Sequence, residues 1–144
     1  MNILYIGYWN LYDPLTISTV FPTLRVLRDL HPTAKLIFVN IQREALSVEL
    51  PPILEELGIL YHPIKSGESA RFKISDFAKG PRLIKRLCKA HNIARIIARG
   101  TPAGALAYLV WKRTGIPFFV ESFEPHADYM LESKVWSRFD LRFI

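Results

Sequence analysis

Acidic and imidazole side chains cluster late in the chain, directly after an apolar run typical of a buried strand. The run covers residues 117–121, and the polar segment up to residue 128 contains Glu124, His126 and Asp128. Imidazole titrates near neutral pH, so His126 is suited to act as a general base or to donate a hydrogen bond to a substrate hydroxyl. Glu124 is the alternative base, or the group that orients His126. Acidic residues also favour helix N-termini, so helix capping is the structural alternative.

A second group of candidate residues lies in the loop after the first apolar run. This loop covers residues 8–15 and begins with Tyr8, Trp9 and Asn10. Aromatic rings of this kind stack on a sugar ring or on a lipid-linked acceptor, and packing within the loop is the structural alternative. We therefore predict that these three residues contact a ligand, together with Asp128.

A third candidate segment joins a strand to a helix at residues 99–103. The amide groups at such a helix start favour anions, and Arg99 adds a fixed cation beside Thr101. The structural alternative is a simple strand-to-helix turn, in which Arg99 pairs with a nearby carboxylate. Both residues are predicted ligand contacts.

These three loops become neighbours if the chain forms an open parallel sheet. Apolar runs at residues 2–7, 35–40, 59–62, 94–98 and 117–121 predict five strands. Helical patterns alternate with them, at residues 19–30, 51–57, 80–91, 103–113 and 126–134, whereas residues 65–77 predict a loop and a short helix. This order predicts an α/β, three-layer Rossmann-like domain with a mainly parallel sheet and helices on both faces. In such sheets ligands bind beyond the carboxyl ends of the strands.

Several kinds of site lack their sequence signatures. There is no G-x-G-x-x-G, no G-x-x-x-x-G-K-[ST] and no G-x-S-x-G, which argues against a usual dinucleotide site, a P-loop and a nucleophile elbow. The chain has one cysteine and four scattered histidines, so we predict no disulfide and no metal site. No nucleic-acid-binding motif is present either.

Charge and length further limit the classes of protein that are compatible with the sequence. The 144 residues carry a formal charge of +6 and amount to a single domain. Four cations share one face of the helix predicted at residues 80–91, where they would contact an anionic membrane or the phosphates of a lipid-linked acceptor: Arg82, Lys85, Arg86 and Lys89. Solvation of that face is the simpler alternative. The start lacks a basic segment and no apolar run spans a bilayer, which predicts a cytoplasmic protein, peripheral to the inner face of the membrane if that basic face binds it.

The order of elements and the segment ARIIARGTPAGALAYLVWKRTGIPFFVESFEPHADYM, residues 94–130, resemble the N-terminal domain of family-4-type glycosyltransferases of the two-Rossmann GT-B fold. The resemblance implies that residues 1–144 are the acceptor-binding domain, with a nucleotide-sugar donor bound mainly by a second domain or subunit. It also implies no other cofactor, a sugar or lipid-linked acceptor, and a role in polysaccharide biosynthesis. The family's histidine after the fifth strand falls nearest His126, although Phe123 stands closer to the usual position.

The apolar residues 135–144 predict a chain cut inside a longer protein, which by itself would transfer no sugar. Two other readings of the residues stay open. One is a non-enzymatic, flavodoxin-like binding module. The other is a small hydrolase that uses Glu124 and His126.

Overall fold

A computed structural model describes residues 1–45, 49–67, 69–122 and 132, and these form a five-stranded parallel sheet. The strands are β1 (Asn2–Gly7), β2 (Leu36–Gln42), β3 (Ile59–Lys65), β4 (Ile93–Arg99) and β5 (Phe118–Glu121). Their order across the sheet is β3-β2-β1-β4-β5. All four neighbouring pairs are parallel, which confirms the predicted fold class.

Helices cover both faces of this sheet. They are α1 (Phe21–Leu30), α2 (Pro52–Glu56), α3 (Ala70–Ala90) and α4 (Gly100–Thr114), and a π-helical turn, Thr16–Val20, leads into α1. Because side chains alternate along each strand, Tyr5 and Phe38 face α1 and α2, whereas Leu4 and Val39 face α3 and α4. Two separate apolar clusters therefore hold the three layers together.

The longest helix differs from the sequence prediction. We expected a helix from Gly80, but α3 already begins at Ala70 and runs through Pro81. The first turns of α3 leave Phe72 and Ile74 exposed. These turns therefore lack the regularly spaced apolar residues by which a buried helix face is predicted. Proline inside a helix removes one backbone hydrogen bond. Pro81 lies on the part of α3 that is buried against the rest of the domain.

Smaller differences concern element ends. Strand β3 extends to Lys65 and β2 to Gln42, beyond the predicted apolar runs. Helix α4 begins at Gly100, directly after β4, instead of three residues later. At its other end Gly115 has φ +71° and its amide donates to the carbonyl of Trp111, so glycine caps the helix in the left-handed conformation.

Candidate functional site

The candidate site lies where the carboxyl ends of β1, β4 and β5 meet. In the observed strand order, β1 and β4 are adjacent although two strands separate them in sequence. Such a reversal of strand order leaves a crevice between the loops that follow the two strands. The loop after β1, the start of α4 and the end of β5 border this crevice, and Arg99 is paired with Glu121 in the β4–β5 register.

A buried hydrogen-bonded triad lies beneath the crevice. The Tyr5 hydroxyl donates to Oε2 of Glu121 at 2.5 Å, and Nη1 of Arg99 lies 3.4 Å from the same oxygen. Tyr5 is 1% exposed and Arg99 8%. Burial, reinforced by the hydrogen bond to Glu121, raises the pKa of Tyr5 far above its ordinary value, so the hydroxyl remains a donor at physiological pH.

The carboxylate of Glu121 is the exposed member of the triad. Its side chain is 25% exposed, and Oε1 makes no hydrogen bond to another described residue. Two donors fix Oε2, so the orientation of the carboxylate is set before any ligand arrives. The arrangement can accept a hydrogen bond from a ligand hydroxyl at the edge of the sheet.

Trp9 lies against the start of α4. A Cβ atom added to Gly100 would lie 3.3 Å from Cη2 of Trp9, and Gly100 has φ +79°. Glycine is favoured at this position for two reasons: it adopts the left-handed backbone conformation, and it leaves room for the indole. Trp9 itself is half-buried.

Polar residues at the end of β2 hold the loop that carries Trp9. Nδ2 of Asn40 donates to the carbonyl of Trp9 at 2.9 Å, and the Leu11 amide donates to Oε1 of Gln42 at 2.9 Å. Asn40 also accepts a hydrogen bond from the Tyr61 hydroxyl at 2.7 Å. Asn40 is fully buried and Gln42 is 4% exposed, so the amide side of each bond is shielded from water.

The remaining predicted contacts in this loop are partly engaged by the protein itself. Oδ1 of Asn10 accepts a hydrogen bond from the Arg43 amide at 2.7 Å. The Arg43 guanidinium lies 4.6 Å from the centre of the Tyr8 ring, and it also donates to the Tyr8 carbonyl. Cation–π contact and hydrogen bonding thus hold Tyr8 in place, as the packing alternative describes.

At the start of α4, Thr101 is exposed, whereas Arg99 faces Glu121 from a buried position. The structure thus places Trp9, Arg99 and Thr101 around one crevice. The predicted catalytic residues Glu124 and His126, and the predicted contact Asp128, lie outside the described residues.

Two negative findings concern the part of the chain that the structure describes. No group of three or more histidine, cysteine or acidic side chains is placed to bind a metal ion there. Within the same residues, no helix combines the length and the apolarity that crossing a bilayer requires. Cys88 is also buried, and burial raises the pKa of its thiol to about 11, which disfavours the reactive thiolate at neutral pH.

Four residues of the site received no role from the sequence, although Glu121 belongs to the polar cluster at the end of the fifth strand: Tyr5, Asn40, Gln42 and Glu121. The signal that could have found Asn40 and Gln42 is the pair of amides at alternate positions directly after an apolar run, since such residues share one face of a strand. Nothing in the sequence pairs Tyr5 with Glu121, which are 116 positions apart.

Comparison with known proteins identifies the fold. None of the known protein families matches the chain, and no curated protein matches its sequence. Among solved structures, the C-terminal domain of a hydrogenase from Pyrococcus furiosus aligns with a TM-score of 0.62 at 15% identity, over 84% of this chain and 91% of that one.

Glycosyltransferases share the same fold. A UGT transferase from Siraitia grosvenorii in complex with UDP aligns with a TM-score of 0.61 at 10% identity, over 93% of this chain and 30% of its own. A glycosyltransferase from Rickettsia africae aligns with a TM-score of 0.56 at 15% identity, over 90% of this chain and 33% of its own. The chain thus has a Rossmann-like, GT-B-like fold and spans about a third of each transferase.

Proposed function

We propose that this chain is the acceptor-binding half of a nucleotide-sugar-dependent glycosyltransferase, in which the crevice between β1, β4 and β5 holds the acceptor. The observation that carries the proposal is the oriented carboxylate of Glu121 at the same sheet edge as the Trp9 indole. A carboxylate that accepts a hydroxyl beside an aromatic face suits a sugar, whose ring has both polar and apolar surfaces.

Each residue of the crevice has a distinct part in this proposal. Glu121 accepts a hydrogen bond from an acceptor hydroxyl and so orients it. Arg99 and Tyr5 hold the carboxylate in that orientation from below. Trp9 packs against the sugar ring, and the exposed hydroxyl of Thr101 supplies a further polar contact.

The donor belongs to a second unit in this proposal. Bulky side chains follow Gly7 where a dinucleotide site would need glycines, and Trp9 lies close to the backbone at the start of α4. Both features leave little room for a pyrophosphate at this crevice. Glu124 and His126 remain the proposed source of acid–base chemistry, and Asp128 a proposed acceptor contact. The chain alone is expected to transfer no sugar.

Calorimetric titration with a panel of alkyl glycosides tests the acceptor site. Loss of one hydrogen bond to a charged group is worth about 1.5–3 kcal/mol, so Glu121→Gln should weaken binding by about tenfold or more. Trp9→Phe should weaken it as well, because the smaller ring offers less contact area. Trp111→Phe is the matched control, since Trp111 lies on the last turn of α4, 43% exposed.

Circular dichroism must show that each variant remains folded, because Glu121→Gln removes the ion pair between Glu121 and the buried Arg99. The proposal is wrong if no glycoside binds, or if Trp111→Phe weakens binding as much as Trp9→Phe does.

A flavodoxin-like binding module without enzymatic activity is the second candidate. It is supported by the near-complete overlap with the hydrogenase domain, in which a domain of this fold forms part of a protein of another class. This alternative predicts binding that does not depend on Glu121.

A further inference from the structure

An open groove of about 550 Å³ lies between the end of β3 and helix α3. Seven residues line it: Pro63, Ile64, Lys65, Lys79, Arg82, Leu83 and Arg86. Because β3 and β5 are opposite edges of the sheet, the groove is separate from the crevice that contains Glu121. The predicted acceptor contacts Trp9, Arg99 and Thr101 do not line it, whereas Arg82 and Arg86 of the predicted basic helix face do.

The polar lining of this groove is entirely cationic. Lys65, Lys79, Arg82 and Arg86 are all exposed, and no acidic residue is among the lining residues. None of the four cations forms an ion pair with another described residue, whereas Arg25 on α1 is bound to Glu56 at 2.8 Å. Like charges along one helix repel each other, so the groove is a favourable place for an anion.

The groove is built on a fixed framework. Helix α3 approaches β3 closely at Gly80, where an added Cβ atom would lie 3.4 Å from Cδ1 of Ile64. Near the start of α3, the Ser66 hydroxyl donates to Oδ2 of the buried Asp76 at 2.7 Å, which ties the helix to the end of the strand. The cations therefore extend from elements whose relative position is set by packing.

The spacing of the cations indicates the size of the anion. Lys79, Arg82 and Arg86 lie at helical positions i, i+3 and i+7, which share one side of α3. At 1.5 Å per residue this row is about 10 Å long, more than a single phosphate covers. Arginine forks also bind phosphate oxygens in pairs. Pro63, Ile64 and Leu83 add an apolar surface beside the row.

We propose that this groove is a second binding site, specific for a ligand that carries two linked phosphate groups next to an apolar portion. The two arginines bind the phosphates, Lys65 and Lys79 neutralise the remaining charge, and the apolar portion packs on Leu83. The site differs from the basic helix face predicted from the sequence, because Lys85 and Lys89 lie on the same helix but do not line the groove.

A pair of charge-matched double variants tests the site. Arg82→Gln/Arg86→Gln removes two cations from the groove, and Lys85→Gln/Lys89→Gln removes two exposed cations from the same helix outside it. Calorimetric titration with inorganic pyrophosphate at physiological ionic strength, where screening acts over about 8 Å, measures the local contribution. We expect the groove variant to bind about tenfold more weakly or worse, and the control variant to change by less than about twofold.

Co-sedimentation with vesicles of phosphatidylcholine that carry a prenyl diphosphate distinguishes the two sources of such a ligand. Pyrophosphate binding that the groove variant loses supports a soluble diphosphate. Vesicle binding that the groove variant loses and the control keeps supports a phosphorylated lipid headgroup. Equal losses in both variants, or no binding of either probe, would overturn the proposal, because a merely basic helix face does not distinguish Arg82 from Lys85.

Discussion

Replacing Asn40 with alanine should destabilise the fold and release the loop that carries Trp9. The side chain bridges two structures, because Nδ2 donates to the Trp9 carbonyl and Oδ1 accepts from the Tyr61 hydroxyl. Alanine leaves both partners without this bond at a partly buried position. Each unsatisfied group costs about 1–3 kcal/mol, and the Tyr61 hydroxyl is only part-buried, so we expect a loss of about 2–4 kcal/mol in the free energy of unfolding.

Urea unfolding followed by circular dichroism measures this loss, and Tyr61→Phe is the natural comparison. That variant removes only the tyrosine bond to Asn40, so it should cost about 1 kcal/mol. The double variant should lose about 1 kcal/mol less stability than the sum of the two single variants, because the residues share one hydrogen bond. Limited chymotrypsin digestion adds a local readout, since cleavage after Trp9 or Tyr12 should accelerate in Asn40→Ala and not in Tyr61→Phe.

A loss below about 1 kcal/mol for Asn40→Ala, with unchanged proteolysis, would refute this reasoning. It would mean that the loop after β1 is held by its aromatic packing and not by the amides at the end of β2.

Three further predictions concern other parts of the domain. Gly100→Ala should cost about 1–2 kcal/mol of backbone strain and also shift Trp9 fluorescence. The control Gly115→Ala, whose Cβ would meet open space, should cost the strain alone. Equal fluorescence spectra of the two variants would contradict the contact between Gly100 and Trp9. Cys88 should react with a thiol reagent only after unfolding, because burial raises its pKa to about 11; rapid labelling of the folded chain would argue against this placement. Burial, and to a lesser extent the charge of His91, lowers the pKa of His62 in the folded chain. As the pH falls, the imidazole is therefore protonated first in the unfolded chain, and the free energy of unfolding should decrease below about pH 6.5. His62→Gln should remove that part of the pH dependence of urea unfolding, and an unchanged slope would contradict it.

The sequence predicted the sheet well because each strand is a short apolar run bounded by turn residues. Strands buried on both faces need no alternating pattern, so β1 and β2 were recognised by their continuous hydrophobicity. The first half of α3 was missed for the opposite reason. Its residues are mostly exposed and its early turns bury few apolar side chains, so its helical periodicity is absent.

The candidate site could be predicted only in part. Sequence order placed Trp9 after the first predicted strand and Arg99 and Thr101 after the fourth, and the general rule for parallel sheets brought those loops together. The hydrogen-bonded triad that includes Tyr5 and Glu121 depends instead on how the strands are aligned across the sheet. Tyr5 reaches Glu121 from within β1, across the intervening strand β4, and no local pattern reveals which residues such an arrangement makes neighbours.

Backbone amide chemical shifts recorded during titration with an alkyl glycoside, and separately with a nucleotide sugar, test the central claim most directly. We expect the glycoside to shift the Trp9 indole signal and the amides of Thr101 and Glu121, whereas the nucleotide sugar should leave these signals unchanged. Shifts at Trp9 and Glu121 caused by the nucleotide sugar, or no shifts there with any glycoside, would contradict the assignment of this crevice to an acceptor.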